Sequence, residues 1–88
     1  MVVVGGTAQW LRSGRGRPRD LDVVVEEADL PGLVSALGRL GVWTTVASLL
    51  RSRQVRLDTS WGPMDVFVGV APAYRPVQLG SVSVMVST

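Results

Sequence analysis

The chain has no cysteine, no histidine and no lysine. Without cysteine there are no disulfides and no thiolate metal sites. Without histidine, imidazole acid–base catalysis and most zinc sites are excluded. Acid–base and metal chemistry must then rest on carboxylates, and oxygen-only ligands favour hard cations such as Mg²⁺ or Mn²⁺. No apolar run approaches the roughly 20 residues that a membrane helix needs. The start, Met1-Val2-Val3-Val4-Gly5, lacks the basic region of a signal peptide. A cytoplasmic protein with no membrane partner is the expectation.

What is present suits one small folded domain spanning residues 1–88. Apolar residues make up 47% of the chain and charged residues 18%, a balance that argues against disorder. A domain of this size buries only about two-thirds of its unfolded surface. The net charge is +2, and every positive side chain is an arginine. Arg12, Arg15, Arg17 and Arg19 cluster within one short stretch. Such a cluster suits phosphate contact, and it is equally what a solvated loop looks like.

The most informative stretch is Asp20-Leu21-Asp22, followed by Val23-Val24-Val25. In a strand, residues i and i+2 share a face. Both carboxylates then point one way while Leu21 and Val23 point into the core. Adjacent carboxylates repel unless a cation lies between them. A third carboxylate would be needed to hold two divalent ions. Asp65 is the natural candidate, because Met64-Asp65-Val66-Phe67-Val68 reads as a buried strand where an unpaired charge is costly. Asp58 is the alternative, at a strand end beside a turn, where an aspartate needs no special reason.

Around these residues the chain divides cleanly. Val2–Val4 is a short apolar segment closed by Gly5-Gly6. Thr7 suits an N-cap, with a helix over Ala8–Ser13. Gly14–Arg19 is a basic turn, and Asp20–Val25 is a strand. Asp29 can cap a helix with Pro31 in its first turn. Leu30, Leu33, Val34, Leu37 and Leu40 follow helical spacing, with Gly41 as the stop. Val42–Leu50 fits neither period clearly. Arg53–Thr59 alternates, the turn Ser60-Trp61-Gly62-Pro63 follows, and Met64–Val70 completes a hairpin. Ala71–Pro76 reads as a loop. Val77–Leu79 and Val82–Val86 read as two short strands around Gly80. This order predicts an α/β or α+β fold, a mixed sheet with two helices packed on one face. Trp10, Trp43 and Trp61 are expected in the core or at an interface. The sequence given ends just after its last expected strand. That predicts uncovered apolar surface, an open edge at Val82–Val86 and pairing as a homodimer or with a separate chain.

Gly5-Gly6-Thr7, a spacer of about a dozen residues, Asp20-Leu21-Asp22 between apolar neighbours, and Asp65 on a later strand resemble the nucleotidyltransferase superfamily of the DNA polymerase β type. The stretches Gly5-Gly6-Thr7-Ala8 and Arg17-Pro18-Arg19-Asp20-Leu21-Asp22 are most similar to its small bacterial and archaeal members, among them the AbiEii-like toxins of toxin–antitoxin systems. The ending Val77–Ser87 resembles the strand pair that follows the third aspartate there. Helices that usually precede the first strand and follow the last are absent, and many members have Gly-Ser where Gly6-Thr7 stands.

The resemblance implies a minimal nucleotidyltransferase fold and transfer of an NMP from an NTP to a hydroxyl on RNA (such as tRNA) or protein. It implies that Asp20, Asp22 and Asp65 bind two Mg²⁺ (or Mn²⁺) ions, with base duty near Asp65. Gly5 and Gly6 would let backbone N–H groups approach the phosphates, Thr7 would add a hydroxyl contact, and Arg17 or Arg19 would neutralise triphosphate charge. A non-catalytic binding or oligomerisation module of the same fold is the alternative.

Overall fold

The computed structural model describes residues 1–88 throughout. Its element order is β1 (Val2–Val4), α1 (Gly5–Ser13), β2 (Leu21–Val25), a 3₁₀ turn (Glu27–Asp29), α2 (Leu30–Arg39), α3 (Val46–Ser52), β3 (Gln54–Thr59), β4 (Gly62–Val68), β5 (Tyr74–Leu79) and β6 (Val82–Ser87). The six strands form one mixed sheet in the order β3-β4-β2-β1-β6-β5. β2 runs parallel to β4 and β1 runs parallel to β6, while the other pairs are antiparallel. The fold is α+β, with helices packed on a mixed sheet.

Alternation along the strands sorts side chains into two faces. One face carries Leu57, Met64, Val66, Val23, Val25, Val3 and Val86, which cluster with Ala8 of α1, Leu30 and Leu37 of α2 and Leu49 of α3. All three helices therefore cover this face. The other face carries Arg56, Asp65, Asp22 and Val4 in one row, and Gln54, Phe67, Val24 and Val2 in the next. None of these eight belongs to the core cluster. Leu21 and Val23 face the core as the alternation predicts, Val23 with no exposure at all.

Several boundaries differ from the sequence expectation. A third helix, α3, lies where Val42–Leu50 had no clear period. Thr45 starts it by accepting a hydrogen bond from the Ser48 N–H at 3.1 Å. The first helix begins at Gly5, so Thr7 is not its cap, and Val4 holds that position without a side-chain bond. Asp29 precedes α2 but its side chain makes no capping bond. The β3–β4 turn is two residues, Ser60-Trp61, because Thr59 already pairs with Gly62. Pro76 lies inside β5 rather than in a loop. An edge strand tolerates proline's missing N–H, and β5 is at the edge. β6, expected as the open edge, is instead held between β1 and β5. The three tryptophans are exposed, Trp43 to 81%, and none joins the core. No helix is long and apolar enough to cross a membrane.

Candidate functional site

Register assembles the acidic residues. Val4 of β1 pairs with Asp22 of β2, Asp22 pairs with Asp65 of β4, and Asp65 pairs with Arg56 of β3. Paired residues share a face, so this row crosses four strands on the side away from the helices. Asp20 lies just before β2, two residues from Asp22. Its carboxylate reaches the same place: Arg56 Nη1 donates to Asp65 Oδ2 at 2.9 Å and approaches Asp20 Oδ2 at 3.4 Å. The three aspartates singled out from the sequence converge. Asp58, the alternative third ligand, is exposed on β3 opposite Pro63.

The cluster is crowded. Asp65 is the single polar residue among the fourteen buried ones. The Asp22 carboxyl titrates above the ordinary carboxylate range, chiefly because burial disfavours its charge. Its hydrogen bond to Asp65 and the negative charges of Asp65 and Asp20 push the same way, while Arg56 opposes them. Two unit charges 4 Å apart interact by about 4 kcal/mol at an effective dielectric constant near 20. One guanidinium cannot offset three such carboxylates, so one of them retains its proton more readily. Asp65 and Asp20 in turn raise the Arg56 pKa, which keeps it a fixed cation.

The start of α1 is fitted to this cluster. Gly5 has φ +67°, and a Cβ there would lie 2.6 Å from Asp22 Oδ2. Both the backbone conformation and the close approach require glycine. Gly6 has no neighbour within 4 Å of where its Cβ would stand. Thr7 Oγ1 donates to the Asp20 carbonyl oxygen at 2.7 Å. Thr7 thus ties α1 to the residue that starts the acidic motif, a role the sequence did not suggest.

Beside the aspartates lies a polar cavity of about 220 Å³, lined by Gly6, Arg17, Pro18, Arg19, Asp20 and Asp22. Arg17 and Arg19 take no part in the three ion pairs of the molecule, which use Arg53 and Arg56. Arg12 is turned elsewhere and donates to the Ser87 carbonyl oxygen.

Three carboxylates suit a hard divalent cation as a donor set. In the present arrangement no group of three such side chains is set to hold a metal ion, and the Arg56 guanidinium stands between Asp20 and Asp65. Arg56 was missed in the sequence reading. Its signal was the alternation Gln54, Arg56, Asp58, which puts a cation on the same face as Asp65 once the hairpin register is known.

No family model matches the chain, and neither does any curated protein or solved structure.

Proposed function

We propose that the chain is a minimal nucleotidyltransferase-type domain that moves an NMP from an NTP to a hydroxyl acceptor on RNA or protein, as the small toxin nucleotidyltransferases that its motifs resemble would. The observation that carries this reading is the convergence of Asp20, Asp22 and Asp65 beside the Gly5-Gly6 helix start and an arginine-lined cavity.

Asp20, Asp22 and Asp65 would hold Mg²⁺, which would neutralise phosphate charge and favour ionisation of the acceptor hydroxyl. The rest falls to the chain's own groups. The first N–H groups of α1 have no partner within the helix and favour an anion. Gly6 has open space around its Cα, so phosphate oxygens can come close. Arg17 and Arg19 supply charge-assisted hydrogen bonds to the triphosphate. An Asp65 carboxylate oxygen accepts the acceptor's proton while the hydroxyl oxygen bonds the α-phosphorus and diphosphate leaves. No hydrophobic residue lines the cavity to stack a base, so this reading names no preferred nucleotide.

The test is transfer of label from each α-labelled NTP, with Mg²⁺ or Mn²⁺, to total RNA and to protein. Asp65→Asn should lower the rate at least about a hundredfold while the protein still melts cooperatively. Equal rates for the variant and the wild type would refute the assignment.

A second reading has its own observation. Arg56 already bridges two of the three carboxylates, so the cluster is partly balanced without a metal. In that case the chain is a binding or assembly module. The open sheet face with Val24 and Phe67 would pair in a homodimer or with a partner chain. Sedimentation at micromolar concentration distinguishes a dimer from a monomer.

A further inference from the structure

The geometry points to Arg56 as the resident counter-cation of the aspartate cluster, which a divalent cation must displace to enter, a role that rests on the cluster's being a divalent-cation site. The two-residue turn Ser60-Trp61 sets the hairpin register and puts Arg56 directly across from Asp65. One nitrogen, Nη1, is shared between Asp65 Oδ2 at 2.9 Å and Asp20 Oδ2 at 3.4 Å. One carboxylate belongs to β4 and the other to the residue that precedes β2, and a cation joining Asp20 to Asp65 would compete with the guanidinium for these two carboxylates.

A surface ion pair of no consequence would look different, and the chain contains one. Arg53 meets a single carboxylate, Glu27, at 2.5 Å, with both side chains more than half exposed. Such pairs add little to stability. Arg56 instead takes two carboxylates, and the Asp65 side chain is only 13% exposed. Ionised Asp65 would lack a counter-charge at this depth if Arg56 left and nothing replaced it. Yet the Arg56 side chain is itself 54% exposed and stands on the edge strand β3. It has no other hydrogen-bond partner. The guanidinium is thus held by the carboxylates alone and is free to swing into solvent on its flexible stem. It neutralises the cluster when no metal is bound and leaves by a side-chain rotation, with the strand in place.

A helper that merely orients Asp20 and Asp65 would act with the opposite sign. Removing a helper weakens cation binding, whereas removing a competitor strengthens it. The experiment is Mn²⁺ titration of the full chain, followed by calorimetry and by water proton relaxation, for wild type, Arg56→Gln and Asp65→Asn. Arg56→Gln should bind Mn²⁺ about tenfold more tightly than wild type, since a unit positive charge has left the site. Asp65→Asn should bind more weakly than wild type. Equal or weaker binding by Arg56→Gln, with wild type still binding, overturns the role of Arg56 and leaves the cation site standing. Absence of Mn²⁺ binding in both wild type and Arg56→Gln at millimolar concentration overturns the cation site and this role together. A second measurement needs no variant. In the wild type, the Arg56 Nε–H resonance should move toward the position of a freely solvated arginine as Mg²⁺ is added. A resonance that stays fixed while Mg²⁺ saturates the site also overturns the role.

Discussion

The two faces of the sheet use the same strands and differ by one residue of register. On the covered face the row Val55–Val66–Val23–Val3–Val86 is apolar across five strands. Its neighbouring row on the open face is Arg56–Asp65–Asp22–Val4. A slip of one residue in any strand would exchange the two sets. Helix packing on the first face therefore does more than stabilise the domain. It fixes the register that brings three carboxylates and a guanidinium together on the second. The covered face supplies most of the burial, and the open face, where Val2 and Asp65 are also buried, carries charge that the fold tolerates at a cost.

The strongest way to break this comparison is to delete equivalent side chains from the two faces. Val66 has no exposure and sits in the core cluster, whereas Val24, one strand over on the open face, is partly exposed and outside it. Val66→Ala should cost about 2 kcal/mol, and Val24→Ala about half of that or less. For a domain of this length, the first should lower the melting temperature by roughly 10 °C. Thermal denaturation of the pair checks this. Equal losses would mean that the open face is as tightly packed as the covered one.

A smaller effect separates the two adjacent glycines. Gly5→Ala forces a left-handed backbone on an L-residue and drives a Cβ to 2.6 Å from Asp22 Oδ2. It should cost about 1–2 kcal/mol and displace the Asp22 carboxylate. Gly6→Ala meets nothing within 4 Å and should stabilise α1 by about 0.5–1 kcal/mol. Urea denaturation of the two variants measures both signs. A destabilised Gly6→Ala would show that the open space beside it is not open in solution.

The smallest expected effect sharpens the claim that the open face carries unfavourable charge. The Asp22 pKa is raised in the folded state, chiefly by burial, so the folded state binds a proton more tightly than the unfolded one. Stability from this group is highest at low pH and falls as pH rises through the interval above the unfolded value of 3.8. Asp22→Asn removes that cost and retains an N–H to donate to Asp65. It should raise the melting temperature by a few degrees at pH 7, with the gain vanishing near pH 3. A gain that persists at pH 3 would assign the effect to something other than charge.

Much of this contrast was legible in the sequence. Alternation along Arg53–Thr59 sorted that strand's two faces correctly, and Asp-Leu-Asp with Asp65 picked out the carboxylates that converge. Register was the weak point. A four-residue turn over Ser60–Pro63 would set Asp58 across from Asp65. The observed two-residue turn sets Arg56 there instead. Both registers keep the same faces, so periodicity could not choose between them, and Arg56 went unnoticed. α3 was missed because seven residues are too few for a clear helical period, although Thr45 with Ser48 three positions on was a readable start. The early start of α1 ran against the low helix propensity of Gly5 and Gly6. The left-handed backbone and the close approach to Asp22 admit only glycine at position 5.

The parallel pairing of Val3 with Val86 joins residues from opposite ends of the described chain. Everything on the other side of β1 can assemble first: the β3–β4 hairpin forms from neighbours in sequence, and β2 lies close behind β1. The β5–β6 hairpin also forms locally, but its docking closes the longest loop in the molecule, and that entropy must be met before the contact returns anything. Docking of β6 onto β1 therefore carries the largest loop-closure cost in the fold, though by only about 0.6 kcal/mol per doubling of loop length.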